Sequence, residues 1–142
     1  MNFVNNQKNI KNKLLNGKRV SGCYIYSRHK NDDIFKIGMS INLFGRMNAL
    51  KSAYPMPDEF YIHMFIFSKK PRQIEAKLLS NKLLCKLPKD KKSQGLRPRE
   101  FRRASKSLLY KVVKQTLRDN KKLWNKLIIF SSNCWQCYST PH

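Results

Sequence analysis

The sequence predicts an α/β domain of the α+β kind: a small three-stranded, mainly antiparallel sheet flanked by helices. Three observations carry this. The runs CYIY (Cys23 to Tyr26) and IFKIG (Ile34 to Gly38) are rich in β-branched and aromatic residues, and the polar stretch SRHKNDD between them suits a hairpin with a longer loop. The run FYIHMFIF (Phe60 to Phe67) is apolar except for His63 and fits a central strand covered on both faces. The segments between and after these runs carry apolar residues at helical spacing.

The elements follow in order. Residues 1–19 are rich in Asn and Lys and read as a basic arm. Residues 20–120 form the domain. After the hairpin, Ser40 stands where a helix N-cap belongs, with Asn42 as the alternative. Leu43, Met47 and Leu50 then make a helical stripe, which the two prolines of SAYPMPDE end. Pro71 opens a second helix whose apolar face is Ile74, Leu78, Leu79, Leu83, Leu84 and Leu87. KLPKDKKSQGLRPR (Lys86 to Arg99) is a basic loop. A third helix is expected from Glu100, with Phe101, Ala104, Leu108, Leu109, Val112, Val113 and Leu117 at helical spacing. Residues 121–142 read as a short helical piece near Lys122 to Phe130 and a cysteine-containing tail.

A chain of 142 residues that is 41% hydrophobic can bury a core as one domain. Thirty Lys and Arg against eight Asp and Glu give a net charge of +22. A field of that sign attracts polyanions, so nucleic acid is the expected partner, DNA foremost. Lys89, Lys91, Lys92, Arg97, Arg99, Arg102 and Arg103 are the expected phosphate contacts. No apolar run approaches the roughly 20 residues needed to cross a bilayer, and the first residues lack the apolar core of a secretory signal. The expectation is an intracellular protein with no membrane partner. Four cysteines are too few and too scattered for a disulfide scaffold.

Polar residues in apolar surroundings mark a candidate site. Arg46 lies between Leu43 and Leu50 on one side of a helix, which turns it toward the core edge. Seven of the eight acids fall in turns, loops or helix ends, whereas Glu75 sits inside an apolar helix face. A buried carboxylate needs a partner or a metal. Tyr24 and Lys36 would lie on adjacent strands. A structural alternative is a Glu75–Arg46 ion pair with Tyr24 as core filler.

The ordered set Gly22-Cys23-Tyr24, Lys36-Ile37-Gly38, Ser40, Asn42-Leu43, Arg46 and Glu75 resembles the GIY-YIG endonuclease pattern, and Glu100-Phe101 resembles the acidic-aromatic pair that closes that domain. Lys36 in place of the second tyrosine resembles a DNA-binding branch common in phages and large DNA viruses. If the setting is viral, the expected location is the host nucleus or cytoplasm, or the virion. The resemblance implies a single-metal nuclease. Glu75 would hold Mg²⁺ or Mn²⁺, Tyr24 would be the general base, and Arg46 would brace the transition state. A free tyrosine titrates near pH 10, so Tyr24 would need a cation beside it, a role that falls to Lys36. The chain departs from the pattern in lacking a helical His after Arg46 and a late Asn. Catalytic inactivity on the same fold, as a DNA-binding module, and a basic virion or ribonucleoprotein component are the alternatives.

The tail CWQCYSTPH holds Cys134, Cys137 and His142 at the spacing of the first three ligands of a zinc knuckle. Zn²⁺ is therefore a second candidate metal, with free thiols as the alternative.

Overall fold

The β-branched and aromatic runs form the centre of the sheet. Gly22–Ser27 is β1 and Ile34–Ser40 is β2, paired antiparallel with Tyr24 opposite Gly38 and Tyr26 opposite Lys36. Tyr61–Phe67 is β3, which lies antiparallel along the other edge of β1. Every residue of β1 is buried, as a central strand covered on both faces requires. The structure is a computed structural model, and it describes residues 19–53, 61–87, 100–131 and 135–140.

Among the described residues three helices flank these strands: α1 (Leu43–Ala53), α2 (Pro71–Leu79) and α3 (Lys106–Asp119). The period-2 alternation of the strands divides the core. Cys23, Ile25, Phe35, Ile37 and Ile66 face α2 and α3. Tyr24, Tyr26, Phe65, Phe67 and Ile128 face α1, through Leu43, Phe44 and Met47. The β1–β3 register skips His63, a one-residue bulge beside Tyr26. His63 is fully buried, with Nε2 2.7 Å from the Ser27 hydroxyl. Burial, and then the charge of Lys106, push its pKa down to about 3, so it stays neutral as a packed core histidine.

Among the described residues the sheet has seven strands, not the three expected. Its order is β4-β5-β2-β1-β3-β6-β7, with every neighbouring pair antiparallel. The additions are β4 (Cys85–Lys86), β5 (Phe101–Arg103), β6 (Lys126–Phe130) and β7 (Trp135–Ser139). Each corrects a helical expectation or fills a loop. Ser105 caps α3 by accepting from the Leu108 amide, so the helix starts at Lys106 and Phe101 lies on extended backbone beside β2. The expected helix at Lys122 to Phe130 is a 3₁₀ turn, Lys121–Leu123, followed by β6. α2 stops at Leu79, and Leu83 is 60% exposed, although Leu84 and Leu87 are buried beyond the helix. The basic arm expected at residues 1–19 lies almost wholly outside the described residues.

Candidate active site

The hairpin register builds one wall of the site. Tyr24 and Gly38 face each other on the α1 side of the sheet, and the tyrosine ring lies directly over the glycine. A Cβ at position 38 would come within 2.4 Å of both Cζ and the hydroxyl of Tyr24. The glycine therefore makes the space the ring occupies. Two residues on, Tyr26 shares that face and stacks on Tyr24, with ring centroids 6.0 Å apart.

The second wall comes from α1. Asn42 is its cap: Asn42 Oδ1 accepts from the Gly45 amide at 3.2 Å, while Ser40 makes the turn before it. Leu43 and Met47 are buried against the sheet, and this fixes the helix rotation. Arg46 is exposed and does not lean onto the core edge as expected. Its guanidinium lies near Tyr24, which raises the Arg46 pKa most, with smaller contributions from Tyr26 and Glu100.

The third side is acidic. Lys36 forms an ion pair with Glu100, Nζ to Oε2 3.0 Å, with the Lys36 side chain 11% exposed. The Lys36 ammonium also sits 6.0 Å from the centre of the Tyr26 ring. Glu100 is held because its carbonyl accepts from the Ile37 amide at 3.0 Å. Glu75 lies half-buried on α2, next to Ile74, which is sealed in the core. Burial and then the charge of Glu100 raise its carboxyl pKa, against Lys36 and Arg72, which lower it. Cys23 approaches the same helix from β1. Its thiol donates to the Pro71 carbonyl at 3.2 Å, and burial pushes its pKa far up, so it is an inert structural thiol.

Tyr24 and Arg46 are thus near each other, and Lys36 and Glu75 lie within electrostatic reach of Glu100. The cation that Tyr24 influences most is Arg46, however. Lys36, expected in that role, is engaged by Glu100 and the Tyr26 ring. The alternative Glu75–Arg46 ion pair is not found among the described residues, whose ion pairs are Lys36–Glu100 and Arg103–Asp33. Tyr26 and the pairing role of Glu100 were missed by the sequence reading. The signal available for Tyr26 was its two-residue step from Tyr24, which puts both on one face of a strand.

The other expected site residues divide. Arg102 turns inward, 5% exposed, and its Nε and Nη2 donate to the Leu79 carbonyl at 3.1 and 2.8 Å. It closes the end of α2 and does not face solvent. Arg103 is exposed, with Asp33 at 3.8 Å. Lys89, Lys91, Lys92, Arg97 and Arg99 lie outside the described residues, as do Cys134 and His142 of the expected zinc set. Cys137 is half-buried on β7 opposite Ile128. Among the described residues, no cluster of three or more His, Cys, Asp and Glu stands together. Glu75 and Glu100 nevertheless share one neighbourhood, and an all-oxygen donor pair with a raised carboxyl suits a hard divalent cation.

The model of the T5orf172 domain matches residues 22–119, from the first residue of β1 to the last of α3. The chain belongs to the T5orf172 domain family. T5orf172 is a phage-associated domain related to HNH/GIY-YIG-like nuclease folds, and it suggests a nucleic-acid-related role. Tyr24, Lys36, Arg46, Glu75 and Glu100 all fall inside the T5orf172 match, whereas β6 and β7 lie beyond it. No curated protein and no solved structure matches the chain significantly. No helix among the described residues is long and apolar enough to cross a membrane.

Proposed function

We propose that the protein is a metal-dependent DNA endonuclease of the GIY-YIG kind, with Tyr24 as general base, Arg46 as transition-state stabiliser and Glu75 as metal ligand. The observation that carries this reading is the Tyr24 hydroxyl seated over Gly38 with the Arg46 guanidinium near it. In the proposed role the Tyr24 oxygen takes a proton from water beside the Arg46 cation. The donors of the Arg46 fork suit a phosphate oxygen at the same place. Glu75, with Glu100 behind it, would hold Mg²⁺ or Mn²⁺. The ion would supply charge neutralisation at the scissile phosphate. Lys36 holds Glu100 in place and limits the negative charge that would repel DNA.

Plasmid nicking with Mg²⁺ or Mn²⁺ tests this. Wild type should nick, and Glu75→Ala, Arg46→Ala and Tyr24→Phe should each lose on the order of 10²-fold or more in rate while keeping the melting temperature. Because the Glu75 pKa is raised above 4.5, protons should displace the metal at a higher pH than they would from a free carboxylate. Retained nicking in all three variants would sink the assignment.

A second reading has its own observation. The Lys36–Glu100 pair already neutralises one of the two carboxylates without a metal. On that reading the domain binds DNA and does not cut it. Absent nicking, with salt-sensitive binding intact in wild type and variants, selects it.

A further inference from the structure

A cavity of about 280 Å³ opens on the α3 side of the sheet, where β6 and β7 meet the end of α3. Its floor is apolar, built by Leu117 and the Trp124 indole, whose Nε1 donates to the Leu117 carbonyl at 2.7 Å. Tyr138 on β7 forms a wall and is 42% exposed. Lys114, Arg118 and Lys121 form the rim, and among the described residues no acidic side chain lines the cavity. The Lys114 ammonium lies 5.8 Å from the centre of the Tyr138 ring. Trp124, Lys121 and Tyr138 all lie beyond the T5orf172 match, so the cavity is this chain's own addition to the domain.

The negative end of the α3 dipole explains a cation in its last turn, such as Arg118. It explains neither Lys114 a turn earlier nor an aromatic wall left open to solvent. A cavity of this volume is at the small end of ligand sites and suits one flat ring system better than an acyl chain. An aromatic wall within a ring of cations matches a base attached to phosphates.

We propose that this cavity takes one unstacked base of a nucleic-acid strand, stacked on Tyr138, with the flanking phosphates on Lys114, Arg118 and Lys121. The proposal rests on the nucleic-acid reading of the chain, but not on cleavage at Tyr24 and Arg46.

The test is fluorescence anisotropy with a short labelled single strand and with the same strand made wholly abasic, its phosphates kept. Wild type should bind the intact strand about tenfold tighter. Tyr138→Phe should keep that preference. Tyr138→Ala should lose it, binding both strands as wild type binds the abasic one. Tyr138→Leu keeps apolar bulk on β7 without an aromatic face, so its loss of preference separates stacking from misfolding. Equal wild-type affinity for the two strands would overturn the proposal, as would a preference retained in both Tyr138→Ala and Tyr138→Leu. Binding to anionic phospholipid vesicles that needs Tyr138, when strand binding does not, would also overturn it. A wild type that binds neither strand at low salt would overturn the nucleic-acid reading as well, an outcome distinct from failure of the cavity.

Discussion

Gly22 opens the first motif and Gly38 closes the second, and they serve different ends. A Cβ on Gly22 would lie 2.0 Å from the Ile66 carbonyl oxygen, so β1 and β3 could not stay paired there. The three atoms nearest a Cβ on Gly38 are the hydroxyl and outer ring carbons of Tyr24, so the tip of that side chain, and not backbone, would have to shift. Gly22→Ala should therefore cost stability, about 3 kcal/mol in urea unfolding. Gly38→Ala should melt near wild type but lose nicking on the order of 10²-fold, because the base is displaced. Full nicking by Gly38→Ala would mean that the position of Tyr24 is irrelevant to the chemistry. At this scale the residue types of the site were legible, because Tyr24, Arg46 and Glu75 stood out against apolar neighbours. Their partners were not. Which cation meets Tyr24 depends on how α1 is rotated by Leu43 and Met47, and no spacing along the chain encodes that.

Arg102 connects two elements, since it stands on β5 and binds the last carbonyl of α2. A helix leaves its final carbonyls without intrahelical donors, and a guanidinium is a strong replacement. Arg102→Ala should lower stability by about 1–3 kcal/mol while leaving strand affinity unchanged, measured by urea midpoint and anisotropy on the same protein. Weakened binding at unchanged stability would return Arg102 to the set of phosphate contacts. The same element shows where sequence patterns mislead. Phe101, Ala104 and Leu108 have helical spacing, but the Ser105 cap breaks that stripe in two. KLIIF is short and apolar, and such a run fits a strand or a helix equally until its neighbours are known. β1, β2 and β3 were legible because long β-branched and aromatic runs with turn signals leave little choice. β4, with two residues, carries no pattern at all.

For the molecule as a whole, +22 decides affinity more than any one residue does. Binding to a duplex should fall by about 10³ between roughly 50 and 200 mM salt, read as the slope of log affinity against log salt. A flat slope would mean that phosphate contacts do not dominate. The sheet order adds a different constraint. Among the described strands the earliest, β1, is the middle one; β3, β6 and β7 extend one side in chain order, whereas on the other side β5 lies between β2 and the earlier β4. During synthesis, Tyr24, Lys36 and Arg46 emerge well before Glu75, and Glu100 follows later still. The pairing of β5 with β2 closes a long loop and is slow relative to the β1–β2 hairpin. A growing chain thus exposes its cations to cellular polyanions before their counter-charge exists, and the balanced site is a property of the finished sheet.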